Sequence, residues 1–214
     1  MASRTTLLRH FQAEQEEFGA LCRSLNDEQW ANLSLCDGWT VRQTVVHVAW
    51  HIHRTTAETL RFLLYGTTQG PARQIARDET QSTAQLIDWL ASPGNCAIVN
   101  LGELMIHQQD VRRPLGHSRQ IPADRIQPIL NFSLGRGSAA LVPGSRKRAV
   151  DLRFVATDMD WSAGDGPLVR GTGEALLMAI NGRRSAFQDL EGPGVPTLAS
   201  RQTPKGNSAV LEKQ

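Results

Sequence analysis

Apolar residues recur at helical spacing through the first two thirds of the chain. Leu7, Leu8, Phe11, Phe18, Leu21 and Leu25 follow the i, i+3, i+4 rhythm of an amphipathic helix over about Thr5–Ser24. Asn26-Asp27 starts a short second turn around Trp30, and Cys36-Asp37-Gly38 breaks the chain. Thr40 then stands as the N-cap of a long helix expected to reach about Tyr65. Gly66 to Pro71 reads as loop, and a third helix is expected from about Arg73 to Leu90, with Ile75, Leu86, Ile87 and Leu90 inward. After Pro93-Gly94 a further helix carries Glu103 and His107 and closes near Pro114-Leu115-Gly116. Pro122-Ala123-Asp124 opens one more, with Ile126, Ile129, Leu130, Phe132 and Leu134 apolar. Helices joined by short links predict an antiparallel bundle over residues 1–142.

Past Pro143 the period changes. Ala149 to Ala156 alternates apolar and polar residues, the mark of a half-buried strand. Gly164-Asp165-Gly166-Pro167 is a turn, and Leu168-Val169-Arg170-Gly171 reads as a second, paired strand. Thr172 to Gly182 returns to helical spacing. A small α+β unit is therefore expected over 149–200, and the polar stretch from Thr197, with 201–214 beyond it, reads as a frayed, disordered tail.

Composition narrows the function classes. A net charge of +2 and the absence of a basic run with interleaved aromatics argue against nucleic acid. The short Arg146-Lys147-Arg148 cluster reads as a solvated linker. No stretch approaches the 18 or so apolar residues of a membrane span, and no apolar signal core follows the N-terminus. Three widely spaced cysteines, Cys22, Cys36 and Cys96, do not make a disulfide framework and suit a reducing cytoplasm. A monomer or homodimer acting on a small molecule is the expected assembly.

The candidate chemistry lies in Glu103-Leu-Met-Ile-His107-Gln-Gln-Asp110. On a helix, positions i, i+4 and i+7 fall within about 60° of one another, so Glu103, His107 and Asp110 share one stripe. Apolar neighbours frame it: Val99 and Ile106 on one side, Leu104 and Val111 on the other. Gln108, Gln109, Arg112 and Arg113 fall on the opposite half, where water is expected. A carboxylate and an imidazole in apolar surroundings are costly unless paired or bound to a cation, which points to a metal site. One helix supplies only part of such a site. The second helix offers His47 and His51, four residues apart on one face, and His53 on another. Spacing alone does not choose among them, and Gln43, Thr44, Arg54 and Glu58 on the His47 stripe equally suit a solvated face.

Two segments carry a family resemblance: Cys36-Asp-Gly-Trp39-Thr-Val-Arg-Gln-Thr-Val-Val-His47, and Glu103 to Gly116. They resemble the mycothiol-dependent maleylpyruvate isomerase family, within the wider DinB-like metal-binding four-helix bundles. Phe154-Val-Ala-Thr-Asp-Met-Asp-Trp161, Gly166-Pro167, Gly171 and Glu174 to Arg183 resemble that family's small C-terminal domain. The resemblance implies a mainly α fold, a DinB-like antiparallel four-helix bundle followed by a small α+β domain. It implies a divalent metal, zinc first, held by His47, Glu103 and His107. His51 becomes a second-shell or pocket residue, Asp110 orients a ligand or caps a neighbouring backbone group, and Arg183 is the C-terminal domain's candidate catalytic residue, as a substrate or thiol-carboxylate contact. It further implies mycothiol as an exogenous thiol in an actinobacterial cytoplasm. Activated as thiolate, that thiol adds to an electrophilic small molecule, with isomerisation or S-transfer as the outcome. A metal-dependent hydrolase and a non-catalytic metal- or ligand-binding stress protein are the competing expectations. Cys36 and Trp39 are expected to be structural, Cys36 because no histidine lies close in sequence to serve as its base.

Overall fold

The computed structural model describes residues 3–55, 81–135 and 144–202. The chain forms two compact units, Met1–Phe132 and Ser133–Gln214. In the first, α1 (Arg4–Ser24) is capped by Ser3, whose Oγ accepts from the Thr6 amide. The short α2 (Asp27–Ala31) starts in a capping box between Asn26 and Gln29. There follow α3 (Val41–His53), α4 (Thr83–Ala91), α5 (Ile98–Arg112) and α6 (Ala123–Leu134). Helices α1 and α3 each pack against both α4 and α5, which makes the expected four-helix bundle. Its core includes Phe11, Phe18, Val45, Ile52, Leu86, Leu90, Leu101, Leu104 and Met105, all essentially buried. Burying each such side chain is worth about 1.5–3 kcal/mol.

Helix boundaries follow local chemistry more closely than the hydrophobic rhythm. Thr40 caps α3 as expected, through a capping box with Gln43. The helix ends at His53, however, with Arg54 already extended, instead of running unbroken to Tyr65. Thr55 and Thr56, β-branched residues of low helix propensity, follow that break. Helix α4 starts at Thr83 because Ser82 and Gln85 form another capping box. The expected loop from Gly66 to Pro71 and the helix start at Arg73 lie outside the described residues.

Helix α5 departs most from expectation. Gln108 and Gln109, placed in water by helical periodicity, are buried, and Arg112 and Arg113 are half-buried. With α1 and α3 on different sides of it, α5 has no wholly solvated half. Gln109 accepts from Arg119 Nε at 3.1 Å. The same guanidinium reaches Glu14 and Glu17 of α1 at 2.6 Å each, and Arg125 of α6 bonds both carboxylates at 2.9 and 2.6 Å.

In the second unit, α7 (Ser145–Ala149) occupies the start of the expected strand. Arg148 is therefore folded in, donating to Ile180 O at 3.0 Å, and is no solvated linker. Strand β1 (Arg153–Ala156) begins after Asp151, which turns the chain with φ 53. β1 pairs with β2 (Ser162–Ala163) antiparallel and with β3 (Leu168–Gly171) parallel. β4 (Leu190–Glu191) lies antiparallel to β3, giving the order β2-β1-β3-β4. Gly164 is required in the turn: at φ +76, an added Cβ would stand 2.2 Å from Leu152 O. Helix α8 (Gly173–Ile180) is buried throughout most of its length. The stretch expected to fray from Thr197 is instead helix α9 (Val195–Ser200), with Leu198 buried. Gln202 is buried too, donating to Ala179 O at 3.0 Å. Among the described residues, no helix is long and apolar enough to cross a membrane, and Cys22, Cys36 and Cys96 are free.

Candidate metal centre

The centre lies between α3 and α5. The Thr40 capping box fixes the start of α3 and therefore the phase at which His47 and His51 leave it. Both imidazoles meet Glu103, on the facing side of α5. His47 Nε2 is 3.5 Å and His107 Nε2 3.1 Å from Glu103 Oε2, while His51 Nε2 is 3.7 Å from Oε1. Three imidazoles thus surround one buried carboxylate. The His47 stripe, which the sequence left open as a solvated face, points inward: Thr44 and His51 are buried and His47 nearly so.

His107 is held from behind. Its Nδ1 lies 2.8 Å from Asp110 Oδ2. Asp110 is fully buried and, as an ionised acid, only accepts, so Nδ1 carries the proton and Nε2 turns toward Glu103. Glu103 Oε2 is buried and accepts no hydrogen bond of acceptable geometry, although two imidazole nitrogens stand beside it. His47, Glu103 and His107 offer ligand atoms all within 4.8 Å of one another. Donors bound at 2.0–2.1 Å in a tetrahedron stand about 3.3–3.4 Å apart, so separations of this size suit a cation among them.

The electrostatics agree. Burial opposes charge on Glu103, yet His51, His107 and His47 hold its carboxyl well below the usual range. Burial likewise opposes charge on His107, but Cys36, Asp110 and Glu103 raise it well above an ordinary imidazole. For His51 burial wins, pushing it down to about 4 against the pull of Glu103. The cluster is a pre-formed anionic seat for positive charge at Nε2 of His107.

Two neighbours differ from expectation. Cys36 Sγ is 3.3 Å from Asp110 Oδ2 and 3.4 Å from His107 Nδ1, so a histidine and a carboxylate do adjoin it. The loop is brought there by Leu35 N donating to Asp110 O at 3.0 Å and by Ser34 Oγ, which bonds the Cys36 amide and Thr44 Oγ1. Cys36, His107 and Asp110 form a second ligand-competent group that shares His107. Trp39, expected as a core anchor, is half-buried with its ring 5.1 Å from that of His47. Sequence spacing carried no signal for either contact. Arg183 belongs to the second unit, where its Nη1 donates to Asn181 O at 2.9 Å.

The family model described as the mycothiol maleylpyruvate isomerase N-terminal domain matches residues 11–94. That span holds His47 and His51 but ends before Glu103. Among solved structures, a crystal structure of the mycothiol-dependent maleylpyruvate isomerase is similar with a TM-score of 0.56 and 12% identity. A histidine-to-alanine variant of that isomerase gives a TM-score of 0.60 and 13% identity. Each comparison covers 90% of this chain and 93% of the other. No curated protein matches the chain.

Proposed function

From the match of residues 11–94 to the mycothiol maleylpyruvate isomerase N-terminal domain and the geometry around Glu103, we propose that this protein is a divalent-metal-dependent, mycothiol-using isomerase of small unsaturated acids. The observation that carries the metal is the Glu103 carboxylate: buried, flanked by His47 and His107 nitrogens at 3.5 and 3.1 Å, and without a hydrogen bond on Oε2. His47, Glu103 and His107 would hold the ion, with zinc fitting two nitrogens and one oxygen. When bound, such an ion keeps a coordinating thiol deprotonated at neutral pH.

The chain's own residues do the rest of the holding. Asp110 retains the proton on His107 Nδ1, which commits Nε2 to the centre and raises its basicity. Glu103 balances positive charge that burial would otherwise penalise. Trp39 beside His47 and the buried Thr44 limit water on the α3 side. Among the described residues none forms a Ser-His-Asp arrangement around the centre, and an exogenous thiol needs none. Addition of the thiolate sulfur to a conjugated double bond moves its π electrons onto the adjoining carbonyl. Rotation about the new single bond and departure of the same thiolate restore the double bond in the other geometry. The thiol is regenerated, so it acts as a cofactor. The partner is a small electrophile, and the working compartment is a reducing cytoplasm.

The test is metal analysis of the purified chain beside His47→Ala and His107→Ala, followed by assay on maleylpyruvate with and without mycothiol. Stoichiometric metal in the wild type, its loss in both variants, and isomerisation that requires both metal and thiol are expected. Full metal occupancy in both variants would falsify the ligand set. Thiol-independent formation of hydrolysis products in place of the isomer would assign the chain to hydrolysis instead.

A further inference from the structure

Gln108 is 0% exposed, yet neither its amide nitrogen nor its carbonyl oxygen has a hydrogen-bond partner. Taking an amide out of water without replacing its bonds is unfavourable, so such a group points to a ligand. One turn further along α5, Arg112 carries the same signature: its Nε is buried and unbonded. Positions i and i+4 stand about 5–6 Å apart on one helix face. Helical side chains lean toward the N-terminus, so the Arg112 side chain lies over the turn of Gln108. The two unbonded groups therefore share one patch. Five residues at 100° each put Gln108 about 140° round α5 from Glu103, on a different side from the metal centre.

The patch faces α1. Cys22 of that helix is fully buried, and burial pushes its thiol up to about 12 against the nearby charges of Arg23 and Arg112. Glu14 and Glu17 stand close by, but each is held by both Arg119 and Arg125 at 2.6 to 2.9 Å. Burial and Arg119 push the Arg112 guanidinium below its ordinary pKa, against the pull of Glu17 and Glu14, and neither carboxylate pairs with it. In this cluster, among the described residues, three guanidiniums meet two carboxylates. The positive charge of Arg112, half-buried, has no counter-ion there. A direct bond from Arg112 Nε to Gln108 Oε1 would satisfy two of the atoms and leave that charge unbalanced. A negative charge with acceptor oxygens satisfies both the donors and the charge.

We propose that Arg112 and Gln108 form a binding site for a small oxyanion, a carboxylate or a phosphate, on the α1 side of α5. Arg112 meets the anion from the half-exposed outer end, and Gln108 Nε2 donates to it from within. Inorganic phosphate and acetate are titrated separately into the full chain as purified, with ionic strength held constant by chloride. The side-chain N–H signals of Arg112 Nε and Gln108 Nε2 are followed by NMR and assigned by their loss in Arg112→Lys and Gln108→Leu. Saturable shifts of both signals are expected, and the tighter of the two anions identifies the source as phosphate or carboxylate. Arg112→Gln should weaken binding about 10–150-fold, the equivalent of one charge-assisted hydrogen bond. Arg112→Lys keeps the charge without the planar fork and should bind at reduced affinity, which covers the case of an Arg112→Gln chain that does not fold. Gln108→Leu keeps an apolar side chain in the core and should also bind more weakly. Shifts that never saturate, or equal affinity in Arg112→Gln, mean an adventitious ion only and overturn the proposal. Unchanged affinity in Gln108→Leu overturns the two-residue site. Binding that disappears when metal is removed places the anion at the metal centre and overturns it as well.

Discussion

Asp110→Asn isolates what the carboxylate behind His107 contributes to cation binding. The substitution keeps volume and removes the charge from an acceptor 2.8 Å from His107 Nδ1 in a fully buried position. A hydrogen bond to a charged partner contributes about 1.5–3 kcal/mol. At 1.4 kcal/mol per decade, that corresponds to a rise of about 10–150-fold in the zinc dissociation constant. The range agrees with the 10–100-fold or so typical of outer partners of ligating histidines. The sign has a second consequence. Asp110 favours positive charge on the ring whether a proton or a metal sits at Nε2, and it is one of the groups raising the His107 pKa. Below that pKa zinc displaces a proton that Asp110→Asn has also weakened, so the loss partly cancels. Above it the full loss appears. Competition against a chromophoric chelator, on both sides of the His107 titration followed by NMR in the metal-free protein, gives both values. An unchanged dissociation constant on the alkaline side, or a larger loss on the acid side, would refute the assignment of Asp110 as the orienting carboxylate.

Three further outcomes follow from the scaffold. Glu14 is fully buried and bonds Arg119 and Arg125, so Glu14→Gln should cost about 3 kcal/mol in urea unfolding, the low end for a broken buried pair because Glu17 still meets both arginines; a loss within the surface-pair range of about 0–1 kcal/mol would contradict the burial. Burial opposes the charge of Glu17, yet Arg125 and Arg119 hold its pKa below the ordinary carboxylate value. Its stabilisation is therefore present above that value and lost as pH falls through the lower folded-state pKa, so the wild-type advantage over Glu17→Gln should shrink across that acid window and not at neutral pH. Thr40→Ala removes the cap of α3 and should lower stability by about 1 kcal/mol. Because that cap sets the phase of His47 and His51, zinc affinity should weaken as well, and a stability loss with unaltered affinity would show that the α5 contacts alone hold the two rings.

Local chemistry was legible wherever a side chain acts on its own helix. The Glu103, His107, Asp110 stripe is written in i, i+4, i+7 spacing, and the His107–Asp110 pair forms within that helix. Thr40 was readable as a cap, and Ser82 with Gln85 carried the same signature at the start of α4. The end of α3 was harder, because the hydrophobic rhythm gives no sign that Arg54 leaves the helix. Burial of Gln108 and Gln109 was illegible for a different reason. Periodicity assigns one apolar face, and α5 meets neighbours on more than one side.

Spacing along the chain determined that a helix would offer a carboxylate and an imidazole together and that another would offer two imidazoles one turn apart. It left open which imidazole meets the carboxylate, whether that face is dry, and what stands behind each ring. Those questions were decided by contacts between residues far apart in sequence: Cys36 with Asp110, Asn95 with Ile52, and both His47 and His51 with Glu103. The physical reason is that helical periodicity fixes directions about one axis only. Desolvation and hydrogen-bond geometry depend on the atoms arriving from other helices, and here those atoms convert a spacing into a buried carboxylate ringed by imidazoles.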